Sequence, residues 1–195
     1  GLVLLIPVPN ARYVAGPPAM KPKGEAAIRA AQTRAAAAAT VLADAAAMRA
    51  RMLRDLPSEG PWDIKQMEGG LVEVEFIAQA LQVAHAHRQP QLLAPTTRLG
   101  LEALAKAGLL EAGEVAGLVA AERLWRGILA QLRLTVGRWR EEALPEPVAA
   151  ALLAAVAPLL PRAAVDQPAL RAQMREAQAL VRASFTARIG PLDTA

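Results

Sequence analysis

Between residues 118 and 136 the apolar residues Leu118, Ala121, Trp125, Ile128, Leu132 and Val136 recur at steps of three and four, which lays them in one unbroken stripe along a helix. On a strand, with its period of two, the same side chains would scatter over both faces. The stripe predicts a helix over about residues 113 to 138 that must be a central packing partner. The remaining chain follows the same period. From Glu25 to about Arg54 it is dominated by alanine, with Ile28, Val41, Leu42, Met48 and Met52 as the larger apolar groups. That composition favours helix by propensity, and its small side chains permit close helix approach. Pro57 and Pro61 break it. A second helix runs from Gly70 to Arg88, and a third starts at a cap formed by Thr96 or Thr97, buries Leu101, Leu104 and Ala105, and ends at Gly108.

Pro147, Pro158 and Pro161 frame a short fifth helix, and Asp166 caps a sixth whose face is Leu170, Met174, Ala177, Val181 and Phe185, stopped by Gly190-Pro191. Helices of this kind joined by short loops predict an all-α, up-and-down bundle of about six helices. The bundle is expected over residues 24–190, after an irregular segment 1–23 and before a tail 191–195. No internal repeat and no strand candidate of weight is present.

Composition narrows the function classes. At 195 residues and 20.5 kDa the chain suits one domain with a proper core. It has no cysteine, hence no disulfide framework and no thiol chemistry. It opens on Gly1 rather than methionine and reads as a fragment of something longer. The apolar runs Leu2 to Pro9 and Pro147 to Pro161 are shorter than the roughly 20 residues of a membrane span and contain proline. No basic region precedes the first of them, as a signal peptide would require. The expected compartment is the bacterial cytoplasm. Net charge is +4, yet residues 1–55 carry 8 basic and 3 acidic side chains whereas residues 56–95 carry 2 and 5. A basic helix packed on an acidic segment accounts for this better than a continuous track for nucleic acid. Six aromatic residues are too few for a base-stacking surface.

The stretch Trp62-Asp63-Ile64-Lys65-Gln66-Met67-Glu68-Gly69-Gly70-Leu71-Val72-Glu73-Val74-Glu75-Phe76 is not what packing alone would select. Leu71 to Phe76 alternates, and on a strand Glu73 and Glu75 would lie together as a metal-binding pair. On a helix residues two apart diverge by about 200° and cannot hold one ion. The apolar run continues through Ile77, Ala78, Ala80, Leu81, Val83 and Ala84, past normal strand length, which favours the helix.

Asp63-Ile64-Lys65, then Gly69-Gly70, then Glu73-Val74-Glu75-Phe76 with Gln79, resembles the glutamine synthetase adenylyltransferases, bifunctional enzymes that attach and remove AMP on glutamine synthetase. The resemblance continues through His85 to Arg88, Thr96-Thr97-Arg98-Leu99 and Ala121 to Arg126, and Met48 to Met52 also fits. Trp62 to Gln66 with Gly70-Leu71-Val72 is closer to the carboxyl-terminal, AMP-adding half; the other half usually has arginine where Val72 stands. The resemblance implies a helix from Gly70, ATP and Mg²⁺ as cofactors of the parent enzyme, glutamine synthetase as its partner, and a nitrogen-signalling PII-type protein as a possible second. Nucleotidyltransferases of this superfamily hold two Mg²⁺ on an Asp-x-Asp strand after Gly-Gly or Gly-Ser. The five aspartates here, Asp44, Asp55, Asp63, Asp166 and Asp193, are all isolated. The resemblance therefore makes this the helical domain that follows the catalytic domain, with no catalytic residue, no metal ligand and no cofactor of its own.

Each singled-out residue has two readings. Lys65, with Gly69 and Gly70, could face the phosphates of ATP on the neighbouring domain; alternatively Lys65 pairs with Glu68 or Glu75, and the glycines only permit a sharp turn. Asp63, Glu73, Glu75, Phe76 and Gln79 are the structural signature. Glu75, among apolar neighbours, is expected to be the partly buried carboxylate, paired with Arg123, Arg126 or Lys65, while Glu73 is expected to tolerate loss. His85 and His87 diverge on a helix and suit surface or capping roles rather than a shared metal. Arg49, Arg51 and Arg54 read as a solvated face, or as one that meets an acidic partner. Three functions remain open: the helical domain of an adenylyltransferase, a stand-alone interaction module, and the helical domain of a related uridylyltransferase, against which the Glu-x-Glu-Phe-x-x-Gln run argues.

Overall fold

The computed structural model describes residues 11–192, and among them every regular element is helical. Seven α-helices follow in order: α1 Lys21–Gln32, α2 Ala38–Asp55, α3 Leu71–His85, α4 Thr97–Lys106, α5 Ala112–Thr135, α6 Glu146–Val156 and α7 Gln167–Arg188. Residues 1–10 and 193–195, parts of the expected irregular segment and tail, lie outside the described residues.

The alanine-rich stretch makes two helices where one was expected. No proline or glycine separates them. Thr33 caps α1, its hydroxyl donating to the Arg29 carbonyl 2.9 Å away, and the chain is extended at Ala37 before α2 begins. The packing accounts for the division. α1 buries no residue, whereas α2 docks Val41, Ala45, Arg49 and Ala50. Alanine's propensity, a few tenths of a kcal/mol per residue, is too weak to carry a helix across a change of packing partner.

α3 is the hub. Twelve of its fifteen residues are buried, and it packs against α2, α4, α5 and α7. α5 is the second axis, in contact with α3, α4, α6 and α7. Its predicted stripe is the buried one: Leu118, Ala121, Trp125, Ile128 and Leu132 lie in the main core, with Val136 against its edge. On α7 Leu170, Met174, Val181 and Phe185 are likewise buried.

The helix ends follow local chemistry. Thr96 Oγ1 accepts from the Leu99 amide to start α4, and Asp166 accepts from the Ala169 amide to start α7. Gly108, at φ +71°, closes α4 in a paired arrangement, its amide donating to Ala105 and that of Leu109 to Leu104.

Candidate functional site

The segment from Trp62 to Gly70 is a stack of turns packed on the start of α3. Asp63 organises it, its carboxylate accepting from the amides of Glu59 (3.4 Å) and Gln66 (3.3 Å). The Leu71 and Val72 amides, unsatisfied within the first turn of α3, donate back to the carbonyls of Ile64 and Lys65. Gly69, at φ +69°, sits so near α7 that a Cβ would lie 2.3 Å from the Gln178 carbonyl oxygen. At Gly70 a Cβ would meet the carbonyl oxygens of Ile64 and Met67 at 2.6 and 2.7 Å. Both glycines are buried.

Beneath these turns lies the ionic centre of the molecule. Glu73 is fully buried. Its Oε1 accepts from Arg49 Nε at 3.2 Å, and its Oε2 accepts from the Gly69 amide at 3.1 Å and from Arg182 Nη1 at 3.5 Å. Arg49, also fully buried, donates through Nη2 to the carbonyls of Gln66 (2.8 Å) and Met67 (3.1 Å). Burial pushes the Arg49 guanidinium below its ordinary value, with Glu73 opposing that shift. Arg182 ties the outer edge, reaching Glu68 at 3.2 Å as well as Glu73.

Two expectations are corrected here, those for Arg49 and Glu73. Arg49 is not part of a solvated face, although Arg51 and Arg54 are exposed; it stands one helical step beyond Val41 and Ala45, on the face of α2 that packs on α3. Glu73, expected to be dispensable, is the buried carboxylate. Glu75, expected to be partly buried against Arg123, Arg126 or Lys65, keeps 28% of its side chain exposed and pairs with Arg126 at 3.1 Å. Burial still raises the Glu75 carboxyl above its ordinary value, against the opposing pull of Arg126 and Lys65. The signal for Glu73 was its position, third in the helix after Gly70, where a glutamate can reach back to a free amide.

Lys65 is exposed and forms no close ion pair: Glu68 is bound by Arg182, and Glu75, although its carboxyl feels the Lys65 charge, is bound by Arg126. It stands on a groove of about 650 Å³ between the 55–66 loop and the end of α5. Phe76 is buried in the core and Gln79 is half-buried on α3. His85 and His87, half-buried, occupy the last turn of α3 and the turn after it. Among the described residues no group of three histidine, cysteine or carboxylate side chains could hold a metal ion, and no helix is long and apolar enough to cross a membrane.

An all-helical fold whose signature loop is clamped from two sides defines a class, and sequence comparison gives it a name. Residues 42–188 match the family described as GlnD PII-uridylyltransferase, and the chain belongs to that family. It is also homologous to a region of proteins described as bifunctional glutamine synthetase adenylyltransferase/adenylyl-removing enzyme. The Rhodopseudomonas palustris protein is 35% identical over 94% of this chain and 18% of its own length. The Caulobacter vibrioides protein is 44% identical over 62% of this chain and 12% of its own. That of Bradyrhizobium diazoefficiens is 35% identical over 82% and 16%. The chain thus spans less than a fifth of the curated relatives it matches.

Proposed function

We propose that this chain is the helical domain that follows the AMP-adding nucleotidyltransferase domain in a bifunctional glutamine synthetase adenylyltransferase/adenylyl-removing enzyme. In that reading the parent transfers AMP from ATP, with Mg²⁺, to a tyrosine of glutamine synthetase in the bacterial cytoplasm. The observation that carries it is the construction of the 62–76 segment. A buried ion pair, a carboxylate turn and two glycines that admit no side chain fix a loop whose one exposed cation is Lys65. A loop held this firmly, with a lysine free of close ion pairs, suits a surface that must meet a neighbouring domain in one geometry. Lys65 is then the phosphate-facing residue, and Gly69 and Gly70 set the turn that presents it.

Among the described residues no carboxylates are grouped to hold a metal ion, and on this reading the domain by itself should transfer no AMP and show no chelator-sensitive, micromolar affinity for ATP·Mg²⁺. Isothermal titration with and without chelator tests this; tight, metal-dependent binding sinks it. In the complete adenylyltransferase, Lys65→Met should lower the adenylylation rate well beyond about threefold while leaving the melting temperature near wild type. A preserved rate with lowered stability would make Lys65 a structural residue.

The family description favours a second reading, the helical domain of a uridylyltransferase acting on a PII-type signalling protein. The full-length relatives point to the adenylyltransferase instead. Incubating the intact enzyme with labelled ATP or UTP and each purified acceptor separates the two.

A further inference from the structure

The groove beside Lys65 has a charge balance of its own. Its floor is apolar, formed by Leu129 and Leu132 of α5 with Trp62 and Trp139. Long-range contacts build it: Trp62 Nε1 donates to the Glu142 carbonyl at 3.1 Å, and the Gly60 backbone lies against that of Arg140, so close that a Cβ on Gly60 would meet the Arg140 carbonyl oxygen at 2.7 Å. Of the three acids on its rim, Asp55 and Glu59 face cations, whereas Asp63 faces neutral amides and keeps its charge. Asp55 is held by Arg51 at 3.4 Å, and Asp63 accepts the two loop amides. Glu59 alone faces both Arg138, at 3.5 Å, and Arg140, at 3.0 Å, and the guanidinium left over offsets the charge of Asp63 in the same groove. Lys65 and Arg133 line the same groove, exposed and without a carboxylate inside ion-pair distance among the described residues, Lys65 feeling Glu75 only at longer range.

We propose that this groove binds a multiply charged phosphoanion, an oligophosphate either free or carried on a nucleotide, with Lys65 and Arg133 as its principal cations. Lys65 and Arg133 place two uncompensated positive charges around one opening, so a monoanion would neutralise only one of them, whereas a pyrophosphate or triphosphate chain neutralises both. The guanidinium fork of Arg133 matches phosphate oxygens in geometry as well as in sign. The apolar floor offers a seat for a nucleobase. The inference shares Lys65 with the reading above and rests on it for why an oligophosphate should come to this face; the charge balance stands apart from it.

The test is titration of this chain, in low salt with chelator present, against sodium pyrophosphate, ATP and hexaglutamate, read by tryptophan fluorescence because Trp62 and Trp139 line the groove. Both phosphoanions should give saturable changes that weaken with salt. R133M and K65M should each weaken binding about tenfold, the size of one lost charge contact, with melting temperatures unchanged. R88M, at an exposed site outside the groove, should change nothing. Tighter binding of ATP than of pyrophosphate assigns the floor to the base; equal affinities assign the site to the phosphate chain alone. The proposal is overturned if neither phosphoanion saturates by about 10 mM, if both R133M and K65M bind as wild type does, or if hexaglutamate binds as well as ATP. Loss of the groove on these grounds leaves the domain assignment standing, since that assignment fails on a different result, chelator-sensitive micromolar binding of ATP·Mg²⁺.

Discussion

Two sides of α3 carry a glutamate each, two residues apart, and the protein treats them in opposite ways. On the side facing α2 and α7, Glu73 has no exposure and spends both oxygens on Arg49, Gly69 and Arg182. On the side facing α5, Glu75 meets solvent and shares Arg126 with Glu122. The same side chain on the same helix is a structural keystone in one direction and a rim charge in the other. What separates them is whether the partner is also out of water: Arg49 is fully buried and Arg126 is half-exposed.

The largest expected effect tests that difference directly. Glu73→Ala strands Arg49 in the interior and frees the Gly69 amide, and should destabilise by about 3–5 kcal/mol. In thermal melts that is a fall of roughly 6–20 °C for a domain of this size. A loss no larger than that of Glu75→Ala would erase the distinction. A double Arg49→Met, Glu73→Leu variant should regain only part of the loss. Exchanging the pair for apolar groups relieves the buried charges but leaves the Gln66 and Met67 carbonyls and the Gly69 amide without partners.

Next in size is Gly69→Ala. The positive φ alone costs about 1–3 kcal/mol, and collision with the Gln178 backbone adds to it. Denaturant melts should place it between the Glu73 and Glu75 variants; a neutral outcome would mean that the loop stands further from α7 than the structure has it.

Glu75→Ala should cost about 1 kcal/mol or less, as expected of a partly exposed pair. Glu75→Gln should be neutral or mildly stabilising at pH 7, because burial holds the folded carboxyl above its ordinary value and so penalises the charged form. A raised folded value means that this penalty is present at neutral pH and disappears as pH falls through it. Glu114 has the opposite sign. Its hydrogen bond from Arg188 holds it below the ordinary carboxylate value, so its stabilisation is present above about pH 4.5 and is lost as pH falls through the lowered folded value. In acid titrations of stability Glu114→Gln should flatten the decline below that pH, and Glu75→Gln should steepen the decline between neutrality and it. The reverse ordering would overturn both assignments.

Much of the fold was legible because the signals for it are local. The stripes on α5 and α7, the caps at Thr96 and Asp166 and the stop at Gly108 each depend on neighbours within a few residues. The helix at Leu71 followed from the length of its apolar run. The faces of that helix did not, and the reason is physical: a helix buried nearly all round has no polar side to orient it, so nothing in its period ranks Glu73 against Glu75. The partners that decide the ranking, Arg49 and Arg182, lie 24 and 109 residues away. Arg49 was within reach, since Val41, Ala45 and Arg49 share one face, but an arginine on an alanine helix reads as solvated until its carboxylate is known. The division of α1 from α2 carried no breaker to announce it.

The contact of Gly69 with α7 has a mechanical consequence. No side chain stands between the loop and that helix to act as a compressible spacer; backbone touches backbone, and Gln178, Arg182 and Glu68 lash the two together on either side. Loop and helix are therefore joined with no side chain between them to take up a shift. A substitution that displaced the middle of α7 at Gln178 would meet the Gly69 backbone directly, four residues from Lys65, the one exposed cation of the signature loop.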